Sequence, residues 1–352
     1  MSKVLIVFLG CLVASLGTLL VLLSFTPEER GDATGQTLSF NELTRQPVSS
    51  TFDSSNSNPP SQTSGQPLQW HARDGQKLTA FHFPSVASIK LILLHGSGYH
   101  GRYLHAMAAA LADGGLADVM VPNLRGHYLS GLERGDIDYI DQLTDDLSDL
   151  IGILRRDAPR ARILVGGHSS GGGLALRFAG SKDGHQVESY LLMAPFFGQS
   201  APTTRRRVGG WAQPAYPRII GLSVLNAVGI RSLNGLKTLA FNMPASARDG
   251  TETLVYSYRL MNGFAPHPEL SSDLAALPNS SLLLVGLDDE AFLAYEYPPL
   301  LKKYSQANAV LLPNQTHFSI VRHPIALAEV VQWLTNLPIR SHDRSRREWS
   351  IP

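Results

Sequence analysis

The chain has 352 residues, and 30 Lys plus Arg against 29 Asp plus Glu leave a formal net charge of +1, which gives no global basic field for holding nucleic acid. With 43% apolar and 17% charged residues it can build a large core and carries too little charge to stay unfolded. Its single cysteine, Cys11, excludes an internal disulfide and any cysteine-based zinc site, since both need more than one thiol.

Positions 4 to 25 carry no charge over 22 residues. A helix of that length is roughly 33 Å long and matches the hydrocarbon core of a bilayer. The stretch reads as a membrane span or a signal peptide. It is longer than a usual signal core and runs into Ser24-Phe25-Thr26-Pro27-Glu28 rather than a small-residue cleavage site, which points to an uncleaved anchor over residues 1–25. Lys3 precedes the span, while Glu28, Glu29 and Asp32 against Arg30 follow it, an asymmetry that leaves the amino terminus cytoplasmic and exports the rest. From Thr26 to Gln66, 28 of 41 residues are Ser, Thr, Asn, Gln, Gly or Pro, too few apolar groups to fold. Residues 26–67 therefore read as a disordered linker with a span of roughly 35 Å.

From about Leu68 to Pro338, short apolar runs alternate with segments of helical period, the pattern of an α/β fold around a mostly parallel sheet with helices on both faces. The strand candidates are Ile89 to Leu94, Asp118 to Pro122, Ile163 to Gly167, Ser189 to Met193, Ser281 to Leu287 and Val310 to Pro313. Arg73-Asp74-Gly75-Gln76 splits the preceding segment into a hairpin that adds an antiparallel edge. Nearly ninety residues separate the strand ending at Met193 from the next, so an inserted subdomain is expected at about 202–262. Its eight Arg or Lys against Asp249 and Glu252 make it basic, and Arg205, Arg206 and Arg207 are candidates to face anionic lipid headgroups. The tail, residues 339–352, reads as a solvated terminus.

The strand Ile163 to Gly167 runs into His168-Ser169-Ser170-Gly171-Gly172-Gly173 and then a helical stretch, so G-x-S-x-G spans Gly167 to Gly171. On a tight strand-to-helix turn, glycines flanking the serine remove the Cβ atoms that would clash and expose the hydroxyl beside helix N-terminal N–H groups. A nucleophilic serine needs a base, and the base an orienting acid. Asp288-Asp289-Glu290 follows one later strand and His317 the last, both beyond strand ends where ligands bind in open α/β sheets. The backbone N–H groups of Ser97, in the loop after Leu94, and of Ser170 are candidates to hold a tetrahedral oxyanion. His95 reads as a residue that holds this loop by hydrogen bonds.

The stretches LLHGSGYHGRY (93 to 103), NLRGHYLSG (123 to 131), GGHSSGGG (166 to 173) and LLLVGLDDEAF (282 to 292), with the THF around His317, resemble the α/β-hydrolase superfamily. Within it they are similar to the monoglyceride lipase, lysophospholipase and serine aminopeptidase-like group. The resemblance implies an α/β-hydrolase fold with the insertion as a cap, an oxyanion N–H on Ser97, and Asp289, counted from Gly286, as the acid. Asn123 and Ser170 depart from the family's frequent aspartate and methionine. The expected function is a membrane-anchored serine hydrolase acting on small-molecule or lipid esters through Ser169, His317 and Asp289, needing no metal or organic cofactor. A peptidase or acyltransferase uses the same acyl-enzyme chemistry, and a non-catalytic binding domain would predict a broken triad.

Overall fold

A computed structural model describes residues 15–28, 38–40, 42, 65–205 and 210–338. The sheet opens with a hairpin of β1 (Gln66–His71) and β2 (Lys77–Phe83), whose turn places Gly75 at φ +81°, a conformation that glycine adopts without Cβ strain. It continues through β3 (Ile89–Leu94), β4 (Asp118–Asn123), β5 (Arg162–His168) and β6 (Ser189–Met193). Three short strands of the insertion follow, β7 (Ala212–Pro214), β8 (Lys237–Phe241) and β9 (Val255–Ser257), before β10 (Leu282–Gly286) and β11 (Asn308–Leu312) return to the main sheet. The eight strands lie in the order β1-β2-β4-β3-β5-β6-β10-β11, and β2 alone runs against its neighbours. Strands β4, β5, β6 and β10 are buried over their whole length, which a sheet achieves only with cover on both faces.

That cover comes from α1 (His105–Asp113), α2 (Gln142–Asp157) and α3 (Ser170–Ala179), each set between two parallel strands. Helix α2 buries Leu143, Leu147, Leu150, Ile151 and Leu154 on one stripe, while Asp145 and Asp149 pair with Arg73 at 2.9 Å and tie the hairpin down. The insertion contributes α4 (Tyr216–Ala227), α5 (Tyr258–Gly263) and α6 (Leu270–Ala275), with β7, β8 and β9 forming an antiparallel sheet of their own. These strands have three, five and three residues, too short for an alternating pattern to mark them in the sequence. Helices α7 (Tyr297–Tyr304) and α8 (Pro324–Asn336) follow. Pro324 opens α8, where its missing N–H costs little, and the His323 ring caps the Ile325 N–H.

Parts of the linker and of the anchor pack on the domain. Within 26–67, Leu38 and Phe40 are 3% and 4% exposed against the folded domain, because two large apolar side chains among polar neighbours gain roughly 1.5–3 kcal/mol each on burial. The expected span begins in residues outside the described ones. Residues 15–24 are helical, and the helix lays Leu19, Leu22 and Leu23 against Gly221 of α4. Arg218 caps its end, donating to the Leu23 carbonyl at 2.8 Å and to that of Lys237 at 2.9 Å. Among the described residues, no helix is long and apolar enough to cross a membrane. The tail, 339–352, lies outside the described residues.

Candidate active site

Strand β5 ends at His168 and α3 begins at Ser170, so the whole turn rests on Ser169, at φ 56° and ψ −122°. A serine held there is strained, and the neighbours fix it: its N–H donates to the Met193 carbonyl at 3.0 Å, while its carbonyl accepts from Phe196 at 2.9 Å and Gly173 at 3.1 Å. The glycines follow from the same crowding. A Cβ on Gly167 would lie 2.1 Å from the Gly171 carbonyl oxygen, and one on Gly171 would lie 2.4 Å from the carbonyl oxygens of Leu94 and His95.

The loops after β10 and β11 meet beside this turn. A Cβ on Gly286 would lie 2.0 Å from the Gln315 carbonyl oxygen, so glycine lets the loops touch. His317 donates through Nδ1 to Asp289 Oδ2 at 2.9 Å, and the other carboxylate oxygen accepts the N–H groups of Ala291 and Phe292, each at 2.8 Å. Both residues are nearly inaccessible, at 2% and 1% exposed. With Nδ1 committed to the carboxylate, Nε2 of a neutral imidazole is left to accept a proton. Asp288 is exposed, and the Glu290 carboxylate accepts the His317 N–H at 2.9 Å. Ser169 and His317 open onto one cavity of about 840 Å³.

The loop after β3 supplies the third element. The Gly96 N–H donates to the Tyr103 hydroxyl at 2.6 Å and the Gly98 N–H to the Tyr256 hydroxyl at 2.8 Å, leaving the amide between them, on Ser97, for a substrate oxygen. The Ser97 and Ser170 hydroxyls are 2.6 Å apart, which brings the two candidate oxyanion residues together over the N-terminus of α3. His95 is spent on this loop: Nδ1 donates to the Gly96 carbonyl at 2.8 Å and Nε2 accepts the Leu124 N–H at 3.1 Å. Burial lowers its pKa to about 4 and keeps it neutral. Asn123 accepts from Gly101 at 3.2 Å and donates to Thr79 at 2.9 Å, the second a donation that an ionised aspartate could not make.

The cavity is walled mainly by apolar groups, among them Phe40, Trp211, Phe241, Met243 and Phe292. Several basic residues of the insertion spend their charge on acceptors of the protein itself. Arg205 Nε donates to the carbonyls of Asp289 at 3.3 Å and Phe292 at 3.2 Å, Arg259 pairs with Asp136 at 2.7 Å, and Lys237 reaches the Gly135 carbonyl at 3.2 Å. Each finds an acceptor at close range that a headgroup would have to replace. Arg206 and Arg207 lie outside the described residues.

A family model described as serine aminopeptidase, S33, matches residues 87–240. The fold is that of solved structures covered almost end to end by this chain. A soluble variant of monoglyceride lipase from Saccharomyces cerevisiae aligns with a TM-score of 0.58 at 17% identity, over 79% of this chain and 97% of that one. The chain has the α/β-hydrolase fold. A monoacylglycerol lipase from Paleococcus ferrophilus (TM-score 0.55, 16% identity, 73% and 98% covered) and a thermophilic esterase from Thermogutta terrifontis (0.54, 19%, 77% and 98%) share this fold. In sequence, a monoacylglycerol lipase of Mycolicibacterium smegmatis is 31% identical over 105 residues, which span 30% of this chain and 37% of that relative.

The structure thus brings Ser169, His317, Ser97 and Ser170 to one cavity, with Asp289 held against His317. Sequence reasoning missed Tyr103, Tyr256, Glu290 and the pair Leu38 and Phe40. Tyr103 and Glu290 stand inside the motifs already singled out, so position was a usable signal for them. Tyr256 lies 158 residues from the glycine that it holds, and nothing local marks it.

Proposed function

We propose that this protein is a serine hydrolase of the monoglyceride lipase and esterase type, cleaving carboxylic esters of apolar acyl groups. Ser169 Oγ attacks the ester carbonyl and passes its proton to His317 Nε2, while Asp289 holds the imidazole through Nδ1–H. The N–H groups of Ser97 and Ser170 stabilise the oxyanion. The alcohol leaves with the proton from His317, and a water deprotonated by the same imidazole then releases the acid from Ser169. The observation that carries the reading is the strained Ser169 on the wall of a mainly apolar cavity also lined by His317, which Asp289 holds from behind.

The lining favours an ester over a peptide amine. None of the described residues lining the cavity is Asp or Glu, and Arg205 is among them, so nothing there complements the ammonium that an aminopeptidase must hold. A lipid-like monoester fits this wall and agrees with the monoacylglycerol lipase relative. The uncharged residues 4–25 serve as a membrane anchor in this reading, with the hydrolase domain on the exported side. The deciding experiment is labelling with a fluorophosphonate alongside hydrolysis of a panel of acyl esters and aminoacyl amides. Labelling should vanish in Ser169→Ala, and turnover should be confined to esters. Retained labelling, or turnover of amides alone, refutes the proposal.

A further inference from the structure

The linker contributes to the site. Leu38 and Phe40 both line the cavity that holds Ser169, although they precede the first strand of the domain. The Phe40 ring lies 4.9 Å from that of Trp211 in the cap and 5.4 Å from that of Phe318, next to His317. It therefore closes the wall between the cap and the histidine loop. The segment is fastened on both sides. The Ser39 N–H and hydroxyl both donate to Glu290 Oε1, the N–H at 3.0 Å, while Glu290 Oε2 accepts the His317 N–H. The Thr316 hydroxyl donates to the Glu42 carboxylate at 2.6 Å, and Arg322 donates to the Glu42 carbonyl. A solvated tether would have its backbone amides in water and its aromatic ring exposed; here the Ser39 amide is held by Glu290, those of Phe40 and Glu42 by carbonyls of the segment itself, and the ring packs between Trp211 and Phe318.

We propose that Leu38 and Phe40 are specificity-determining residues that complete the acyl-binding wall, so that long acyl chains are buried only when this segment is docked through Ser39 and Glu42. The inference rests on the serine hydrolase reading and assigns part of its specificity to the linker. An acyl chain long enough to reach the wall gains apolar contact from the two side chains, whereas a short one ends before them. Removing Phe40 opens the wall to water and lowers the advantage of the longer chain.

The test uses the full chain and compares kcat/KM for p-nitrophenyl decanoate and p-nitrophenyl butyrate in the wild type, Phe40→Ala, Leu38→Ala and Phe40→Leu. Fluorophosphonate labelling of Ser169 reports an intact site in each. The ratio of decanoate to butyrate should fall by roughly tenfold in Phe40→Ala, less in Leu38→Ala, and least in Phe40→Leu, which keeps a large apolar group and guards against a misfolded alanine variant. Labelled variants with an unchanged ratio overturn the inference and leave the hydrolase reading standing. A rise in the ratio overturns it too, because the segment would then block the acyl site. Absence of labelling in the wild type removes the hydrolase reading, and the inference falls with it.

Discussion

Tyr103 and His168 are joined by a hydrogen bond of 3.0 Å in which the tyrosine is the donor. The direction follows from the surroundings. His168 Nε2 lies 2.8 Å from the His317 carbonyl, which can only accept, so Nε2 carries the hydrogen. Burial pushes the His168 pKa well below its usual value, the ring is neutral, and Nδ1 must accept. Tyr103 therefore donates to His168 and accepts from Gly96. Tyr256 repeats the arrangement across the loop, accepting from Gly98 and donating to His127 Nε2 at 2.5 Å, while His127 Nδ1 donates to the Arg125 carbonyl at 3.1 Å. Two buried tyrosine–histidine pairs thus grip the amides on either side of Ser97, and one of them also holds the backbone of His317.

Tyr103→Phe should be costly for this reason. It leaves the Gly96 N–H and His168 Nδ1 without their partner in a buried site, a loss of about 1–3 kcal/mol for each unsatisfied group. Thermal melting should report the destabilisation. Ester kinetics should show kcat falling by roughly ten- to a hundredfold with KM little changed, because the oxyanion amide acts mainly in the transition state. A variant that is destabilised but keeps kcat would mean that the pair only packs the core.

The two neighbouring aspartates should separate cleanly. Asp289 is buried against His317 and Asp288 is exposed, so Asp289→Asn should cost several powers of ten in kcat and Asp288→Asn almost nothing. Steady-state kinetics on one soluble ester is sufficient, and the reverse order would reassign the acid. Arg205→Ala, which frees the carbonyls of Asp289 and Phe292, should fall between them.

How far the sequence carried this site depended on how local the cause was. G-x-S-x-G is legible because the crowding that demands glycine acts between residues only four apart, Gly167 and Gly171. The order Ser169, Asp289, His317 is legible because parallel strands place all three loops at one end of the sheet. The docking of Leu38 and Phe40 was not legible for a related reason. Composition averages over forty residues, and what docks Leu38 and Phe40 is a cavity wall assembled from Trp211 and Phe318, remote in sequence. The charge of the insertion is read no further by counting, since a sum of Arg and Lys does not say that Arg205, Arg218 and Arg259 end on carbonyls and a carboxylate of the protein itself.

Acid should unfold this protein early. His95 and His105 are each held at about 4 and His100 at about 3, chiefly by burial, and His127 and His168 are pushed well down by the same cause. An unfolded histidine titrates near 6.5, so between that value and the folded pKa the unfolded chain binds more protons, and stability falls as pH falls. It is fully present above about pH 6.5, and His95 alone removes roughly 3 kcal/mol by pH 4. Below that, Asp118 and Asp136, whose carboxyls are held low by His82 and Arg259, add a further loss. Melting temperature should be flat from pH 7 to 8 and drop steadily from 6.5 to 4. His95→Gln should flatten that slope, and an unchanged slope would place the titrating groups elsewhere.

The anchor makes the last prediction. Helical residues 15–24 turn Leu19 and Leu23 toward the cap but leave Leu16, Leu20 and Val21 exposed, and the adjoining α4 exposes Tyr216, Ile220 and Val224. Under the proposed anchoring, this apolar face continues the uncharged run into the bilayer and sets the cap at the lipid surface. The protein should then stay with membranes in alkaline carbonate, and protease added from the exported side should digest the hydrolase domain. Release by carbonate points to a cleaved signal, and protection of the domain reverses the orientation. Arg218 adds a sharper test, because its guanidinium is buried and its hydrogen bonds end on the Leu23 and Lys237 carbonyls. Replacing it by Ala removes the cap of the N-terminal helix, so cleavage just beyond residue 24 should accelerate while carbonate retention is unchanged. Equal cleavage rates in the two proteins would mean that the helix end is not held by the cap when the chain sits in a membrane.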